Sequence, residues 1–162
     1  MAKKEPVTQA VRELRKHKVA FEGHLYEYVA AGGTRQFADL MGLDEHLIIK
    51  TLIMQDTGGK PLVMLMHGDR EVSTRSLARS IGVKSIQPCL PQVADRHSGY
   101  QVGGTSPFGL RTVMPVYCER SISGLSRIYI NGGKRGYIIS LQSDDLLRVL
   151  QPVLVNAAAD RA

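Results

Sequence analysis

Lys50 is the residue most open to a chemical reading. It stands inside Ile48-Ile49-Lys50-Thr51-Leu52, a β-rich run in which its ammonium must reach solvent or meet an anion, because burial without a partner is costly. Lining a pocket, such a lysine can serve a phosphate or a carbonyl. On a half-exposed strand it is only the polar face. The loop Gly103-Gly104-Thr105-Ser106-Pro107 has the composition of a backbone cradle. Paired glycines let a ligand approach the main chain and its N–H donors, and Thr105 and Ser106 add hydroxyls. No GK[ST] follows, so it is not a Walker loop, and it does not match a dinucleotide fingerprint. A second stretch, Gly132-Gly133-Lys134-Arg135-Gly136, puts two cations in a turn, as a phosphate contact or as a charged hairpin tip.

Other chemistries are disfavoured. His17, His24, His46, His67 and His97 lack HExxH or any paired ligand spacing. Cys89 and Cys118 form no CxxC pair and lie in no nucleophile signature, and no GxSxG elbow is present. No metal site and no cofactor are expected, an ordinary Ser or Cys hydrolase is disfavoured, and both cysteines read as reduced and packed.

Several elements must position these residues. Val7, Ala10, Val11 and Leu14 recur at helical spacing, predicting an amphipathic helix over 6–17 with Pro6 in its first turn. Alternation predicts a strand over 19–28. Thr34 is the expected N-cap of a short helix through Phe37, Leu40 and Met41 that Gly42 ends. The runs 47–54 and 61–66 flank Thr57-Gly58-Gly59-Lys60 and predict an antiparallel hairpin of two central strands. Helices follow over 73–81 and 91–97. Residues 98–109 are too rich in Gly, Ser and Pro for regular structure. Strands are expected over 113–117, 127–131 and 137–141, then a helix over 143–150 capped by Ser143 and a frayed end from 155 to 162. There is no strict βαβ rhythm. The prediction is an α+β fold, one domain over 1–162, with a mixed, largely antiparallel curled sheet flanked by helices.

Composition agrees with that. The chain has 162 residues, 43% of them apolar, enough for one domain with a sizeable core. No apolar run approaches the length of a membrane span and the start lacks a signal-like apolar core, so the expected location is the cytoplasm. The net charge of +6 favours phosphate-rich partners. It is segmental: residues 1–20 carry six basic and two acidic groups, residues 111–136 five and one, and residues 21–60 three and six.

Together these stretches resemble the YbaK/EbsC family, which is related to the editing domain inserted in bacterial prolyl-tRNA synthetases. The similarity spans nearly the whole chain. It rests on 10–21 with His24-Leu25-Tyr26-Glu27, on Leu43 through Lys50-Thr51-Leu52, on 98–107 and on Gly132-Gly133-Lys134-Arg135-Gly136. The resemblance implies a free-standing trans-editing deacylase that clears mischarged Cys-tRNA(Pro) and Cys-tRNA. In that family the substrate's own cysteinyl thiolate attacks its ester carbonyl, which agrees with the missing nucleophile.

By the same resemblance Lys50, Gly103 and Gly104 are the catalytic positions, and Tyr26, Thr105, Ser106, Asn131, Gly132 and Gly133 face the substrate. Lys134 and Arg135 would meet tRNA phosphate. Aminoacyl-tRNA is the implied substrate and prolyl-tRNA synthetase an implied partner, with no DNA and no membrane. Three departures bear on specificity: Gly33 stands where a well-known deacylase of the family has a pocket aromatic, Asn131 replaces a serine and Ile138 replaces an aspartate. Two other readings stay open, an Ala-tRNA(Pro) deacylase using water and a non-catalytic tRNA- or synthetase-binding module.

Overall fold

The computed structural model describes residues 4–161. Its central feature is a mixed sheet. In chain order the strands are β1 (Phe21–Leu25), β2 (Ile48–Asp56), β3 (Pro61–His67), β4 (Arg70–Val72), β5 (Ile86–Pro88), β6 (Val116–Glu119), β7 (Arg127–Lys134), β8 (Tyr137–Gln142), β9 (Val153–Val155) and β10 (Ala158–Asp160). The main sheet runs β1-β8-β7-β2-β3-β6-β9, with β5 also on β2, and β10 pairs with β4 in a separate ribbon. Pairings of β1 with β8, β2 with β3 and β5, β7 with β8 and β10 with β4 are antiparallel, and those of β2 with β7, β3 with β6 and β6 with β9 are parallel. The expected hairpin of two central strands is therefore present. So is the mixed, largely antiparallel α+β architecture.

Five helices cover the sheet: α1 (Gln9–Lys16), α2 (Gly33–Met41), α3 (Thr74–Ile81), α4 (Pro91–Ser98) and α5 (Ser143–Leu150). The strand period of two decides which helix meets which residue. Ile49 and Ile53 of β2 share a core with Leu14 of α1, Ala94 of α4 and Leu146 of α5. On the opposite face Met54, with Met64 and Met66 of β3, packs on Leu77 and Ala78 of α3, while Ile48 packs on Phe37 and Ala38 of α2. Lys50 shares the parity of Ile48 and Met54. It emerges between the α2 cluster and the α3 cluster.

Several local expectations change. The first helix starts after Pro6, because the Thr8 hydroxyl accepts from the Val11 amide at 3.1 Å and caps it. Thr34 is not a cap: Gly32 occupies that position, and Thr34 Oγ1 instead donates to Glu45 Oε2 at 2.7 Å. Ser143 is not one either, since Gln142 precedes the helix and the Ser143 hydroxyl donates to the Leu125 carbonyl. Gly42 and Gly82 do end their helices in the left-handed conformation.

The largest correction is in the segment 155–162, expected to fray, of which residue 162 lies outside the described residues. Val153–Val155 pairs with β6 and Ala158–Asp160 with β4, and between them the buried Ala157 amide donates to Glu119 Oε1 at 2.6 Å. Strands of three residues carry no periodic signal of their own. Their order comes from distant partners. The same holds for β4 and β5, two further three-residue strands that local pattern does not announce.

Candidate active site

Strand β2 meets β7 only through Ile48 and Ile49 and meets β5 only from Met54 onward. Along Lys50–Ile53 that edge of a central strand has no strand neighbour. The gap opens into a cavity of about 640 Å³ lined by Lys50 through Met54, by Tyr26, Tyr28, Phe37 and Ile138, and by Val102, Gly103 and Thr105. Its size is ordinary for a small-ligand site.

Lys50 lies at the cavity with its side chain 21% exposed, and its ammonium is 3.8 Å from Glu71 Oε1. Burial pulls its pKa below the ordinary lysine value, against the opposing pull of Glu71. Thr51 Oγ1 is buried and has no hydrogen-bond partner among the described residues. A buried hydroxyl left alone is a cost that a ligand can remove. In the sequence Thr51 stands out only as a member of the motif around Lys50. The aromatic wall is ordered by edge contacts, with the Tyr26 and Phe37 rings 5.3 Å apart, and burial raises the Tyr26 phenol, with Tyr28 adding to the shift.

The glycine loop is held in place by the second glycine turn. Asn131 Nδ2 donates to the Gly103 carbonyl at 3.1 Å and Arg135 Nε to the Val102 carbonyl at 2.9 Å, while the Arg135 guanidinium sits 5.2 Å over the Tyr28 ring. Gly103 has φ +95, and a Cβ there would lie 2.5 Å from the Tyr28 hydroxyl; at Gly104 it would lie 2.7 Å from the Arg135 amide nitrogen. Both positions exclude a side chain. Gly103, Thr105, Asn131 and Tyr26 line the cavity with Lys50. Gly104, Ser106, Gly132, Gly133, Lys134 and Arg135 lie outside that lining. Ser106 Oγ accepts from the Phe108 amide at 3.2 Å, and Gly132 leaves room for the Tyr137 ring. Arg135 thus braces the loop that walls the cavity.

Several charged groups gather here without any signal in the sequence. Glu45 and Arg161 line the cavity, with Arg161 Nη2 donating to Glu45 Oε2 at 2.8 Å. Burial raises the Glu45 carboxyl, but hydrogen bonds from Arg161 and Thr34 outweigh it and leave the pKa lowered. No local pattern joins residues 45 and 161. The histidines, expected to stay apart, also partly assemble. His46 and His67 stack at 3.7 Å with planes 6° apart, beside Asp69. His46 Nδ1 meets Asp69 Oδ1 at 2.9 Å, and His67 is occupied at both nitrogens, by the His46 carbonyl at 2.8 Å and Ser121 Oγ at 2.7 Å. The arrangement is a hydrogen-bonded stack. His24 Nε2 is 3.0 Å from Ser140 Oγ. Cys118 is buried, with its thiol pushed up to about 12 by burial and then by Glu119.

The family model for the aminoacyl-tRNA editing domain matches residues 30–149. The chain belongs to this editing-domain family. Its matched span contains the Lys50 strand, the Gly103 loop and the Asn131 turn. Among relatives, a protein of Enterococcus faecalis named "Putative Cys-tRNA(Pro)/Cys-tRNA(Cys) deacylase EbsC" is 28% identical over 150 residues, covering 91% of this chain and 92% of its own length. The proline--tRNA ligase of Nitratidesulfovibrio vulgaris is 29% identical over 84 residues, 52% of this chain but only 14% of that enzyme. The solved structure of "a putative trans-editing enzyme for prolyl tRNA synthetase" superposes with TM-score 0.82 at 17% identity, over 97% of this chain and 99% of that one. That likeness shows the shared fold. No described helix is long and apolar enough to cross a membrane.

Proposed function

We propose that the protein is a free-standing aminoacyl-tRNA deacylase that clears Cys-tRNA(Pro), and Cys-tRNA more generally, in concert with prolyl-tRNA synthetase. The observation that carries this reading is the cavity at the open edge of β2, which holds a lysine and a glycine-walled loop but, among the described residues, no activated Ser or Cys nucleophile. Around it, Cys89 is raised by burial and Ser106 of the loop is engaged in a turn. The substrate supplies the missing group. Its thiolate attacks the ester carbonyl, the C–O bond to the terminal ribose breaks, the ribose oxygen takes up the proton that left the thiol, and a cyclic thiolactone is released. The enzyme's share is orientation and charge stabilisation. Lys50 meets negative charge on the ester or the terminal nucleotide, and the Gly103 loop presses main chain against the aminoacyl group.

One observation favours a second reading. Ile138 is 6% exposed and packs in one cluster with Phe37, so the wall that the family resemblance associates with an aspartate is apolar here. An apolar wall suits a small aliphatic group, and water would then be the nucleophile on Ala-tRNA(Pro).

Incubating the protein with Cys-, Ala- and Pro-tRNA(Pro) separates these outcomes. Loss of Cys-tRNA(Pro) with thiolactone release is expected, and intact Cys-tRNA(Pro) at enzyme excess rejects the leading reading. Lys50→Ala is expected to lower the deacylation rate about 100-fold or more while leaving the fold intact by circular dichroism.

A further inference from the structure

Glu71 of β4 lies 3.8 Å from the Lys50 ammonium, and two further carboxylates act on its charge, Glu45 from the 3-10 turn Glu45–Leu47 that leads into β2 and Asp69 from the turn between β3 and β4. Asp69 is paired with His46 at 2.9 Å. Arg161, just beyond β10, lines the same cavity as Lys50 and acts on the Lys50 charge. Its guanidinium grips Glu45 with two nitrogens, at 2.8 and 3.3 Å, and also donates to the Gly68 carbonyl at 2.5 Å. The Glu45 side chain is only 15% exposed. Its remaining hydrogen bond among the described groups is the neutral one from Thr34.

We infer that Arg161 is a positioning residue for the proposed reaction, neutralising Glu45 so that Lys50 stays available to the substrate. Removing Arg161 takes away the cation that pairs with Glu45 and leaves the carboxylate the neutral hydrogen bond from Thr34. Lys50, which lines the same cavity and feels the Glu45 charge, has a long stem that reorients at small cost. Lys50 drawn to Glu45 is lost to the ester. Charge also counts against the variant, because losing Arg161 removes one positive charge from a cavity wall that faces an incoming polyphosphate.

The inference rests on the deacylase reading, and the test keeps the two apart. Arg161→Ala should lower kcat/KM on Cys-tRNA(Pro) about 10- to 100-fold, and adding Glu45→Gln should bring it back to within about threefold of wild type, because no carboxylate is then left to capture Lys50. A merely structural tether predicts a double variant as slow as the single one, and that result overturns the inference. Arg161→Lys keeps the charge and should lose much less than Arg161→Ala; an equal loss also counts against it. NMR titration of the Lys50 side chain gives a readout without substrate. Arg161→Ala should raise its pKa, since a cation is removed while Glu45, Glu71 and Asp69 remain, and the double variant should lower it again. An unchanged Lys50 titration overturns the inference while leaving the deacylase reading intact. Absence of deacylation by the wild-type protein rejects that reading, with the titration still deciding the coupling of Arg161, Glu45 and Lys50.

Discussion

At the scale of single residues, burial acts in the same direction on two basic groups but leaves them with different prospects. Lys50 has its pKa lowered by burial but keeps Glu71 and the open cavity in front of it. His67 is 1% exposed and has its pKa lowered below 6.5 by burial, with the bond to the His46 carbonyl opposing. The folded protein therefore holds His67 neutral at pH values where the unfolded chain protonates it. That contribution is complete above about pH 6.5 and is lost as pH falls below it. The urea midpoint should drop between about pH 7.5 and 5.5, and His67→Gln should flatten that drop. An equal drop in the variant would exclude His67 as its source.

At the scale of elements, what matters is where a strand lacks a neighbour. The β-rich run around Lys50 was legible as a central strand from its residue types, and so were its hairpin with β3 and the irregular loop 98–109. The helix stop at Gly42 was legible too, because only a residue tolerant of φ +66 ends a helix that way. Nothing in the sequence told that β7 covers β2 for two residues and β5 resumes at Met54, and that gap opens the cavity. Two glycine variants separate local from site effects. A Cβ at Gly42 meets nothing within 4 Å, so Gly42→Ala should cost about 1–2 kcal/mol of stability through backbone strain alone and leave turnover unchanged. Gly104→Ala drives a Cβ into the backbone of Lys134 and Arg135, displacing the cavity wall. It should lower turnover about 10-fold or more, compared by denaturation curves and deacylation rates on the same samples.

At the scale of the whole molecule, the described part of the basic segment 1–20, residues 4–20, meets the basic segment 111–136. The Thr8 hydroxyl before α1 donates to the Gly132 carbonyl of β7 at 2.5 Å, and Arg12 and Lys16 are exposed on the outer face of α1. A tRNA backbone lying there would make binding weaken with salt. Replacing Arg12 and Lys16 by Glu should lower the slope of log Kd against log salt by about 0.9 for each phosphate no longer neutralised; an unchanged slope would place the tRNA elsewhere. The editing-domain family, the α+β class and the strand bearing Lys50 were all written in local residue types, because periodicity and glycine-rich turns express short-range preferences. The cavity, the stacked histidines and the grip of Arg161 on Glu45 were decided only by tertiary structure. They join groups as far apart as residues 45 and 161, and pairings at that separation follow from how whole elements pack, on which local propensity is silent.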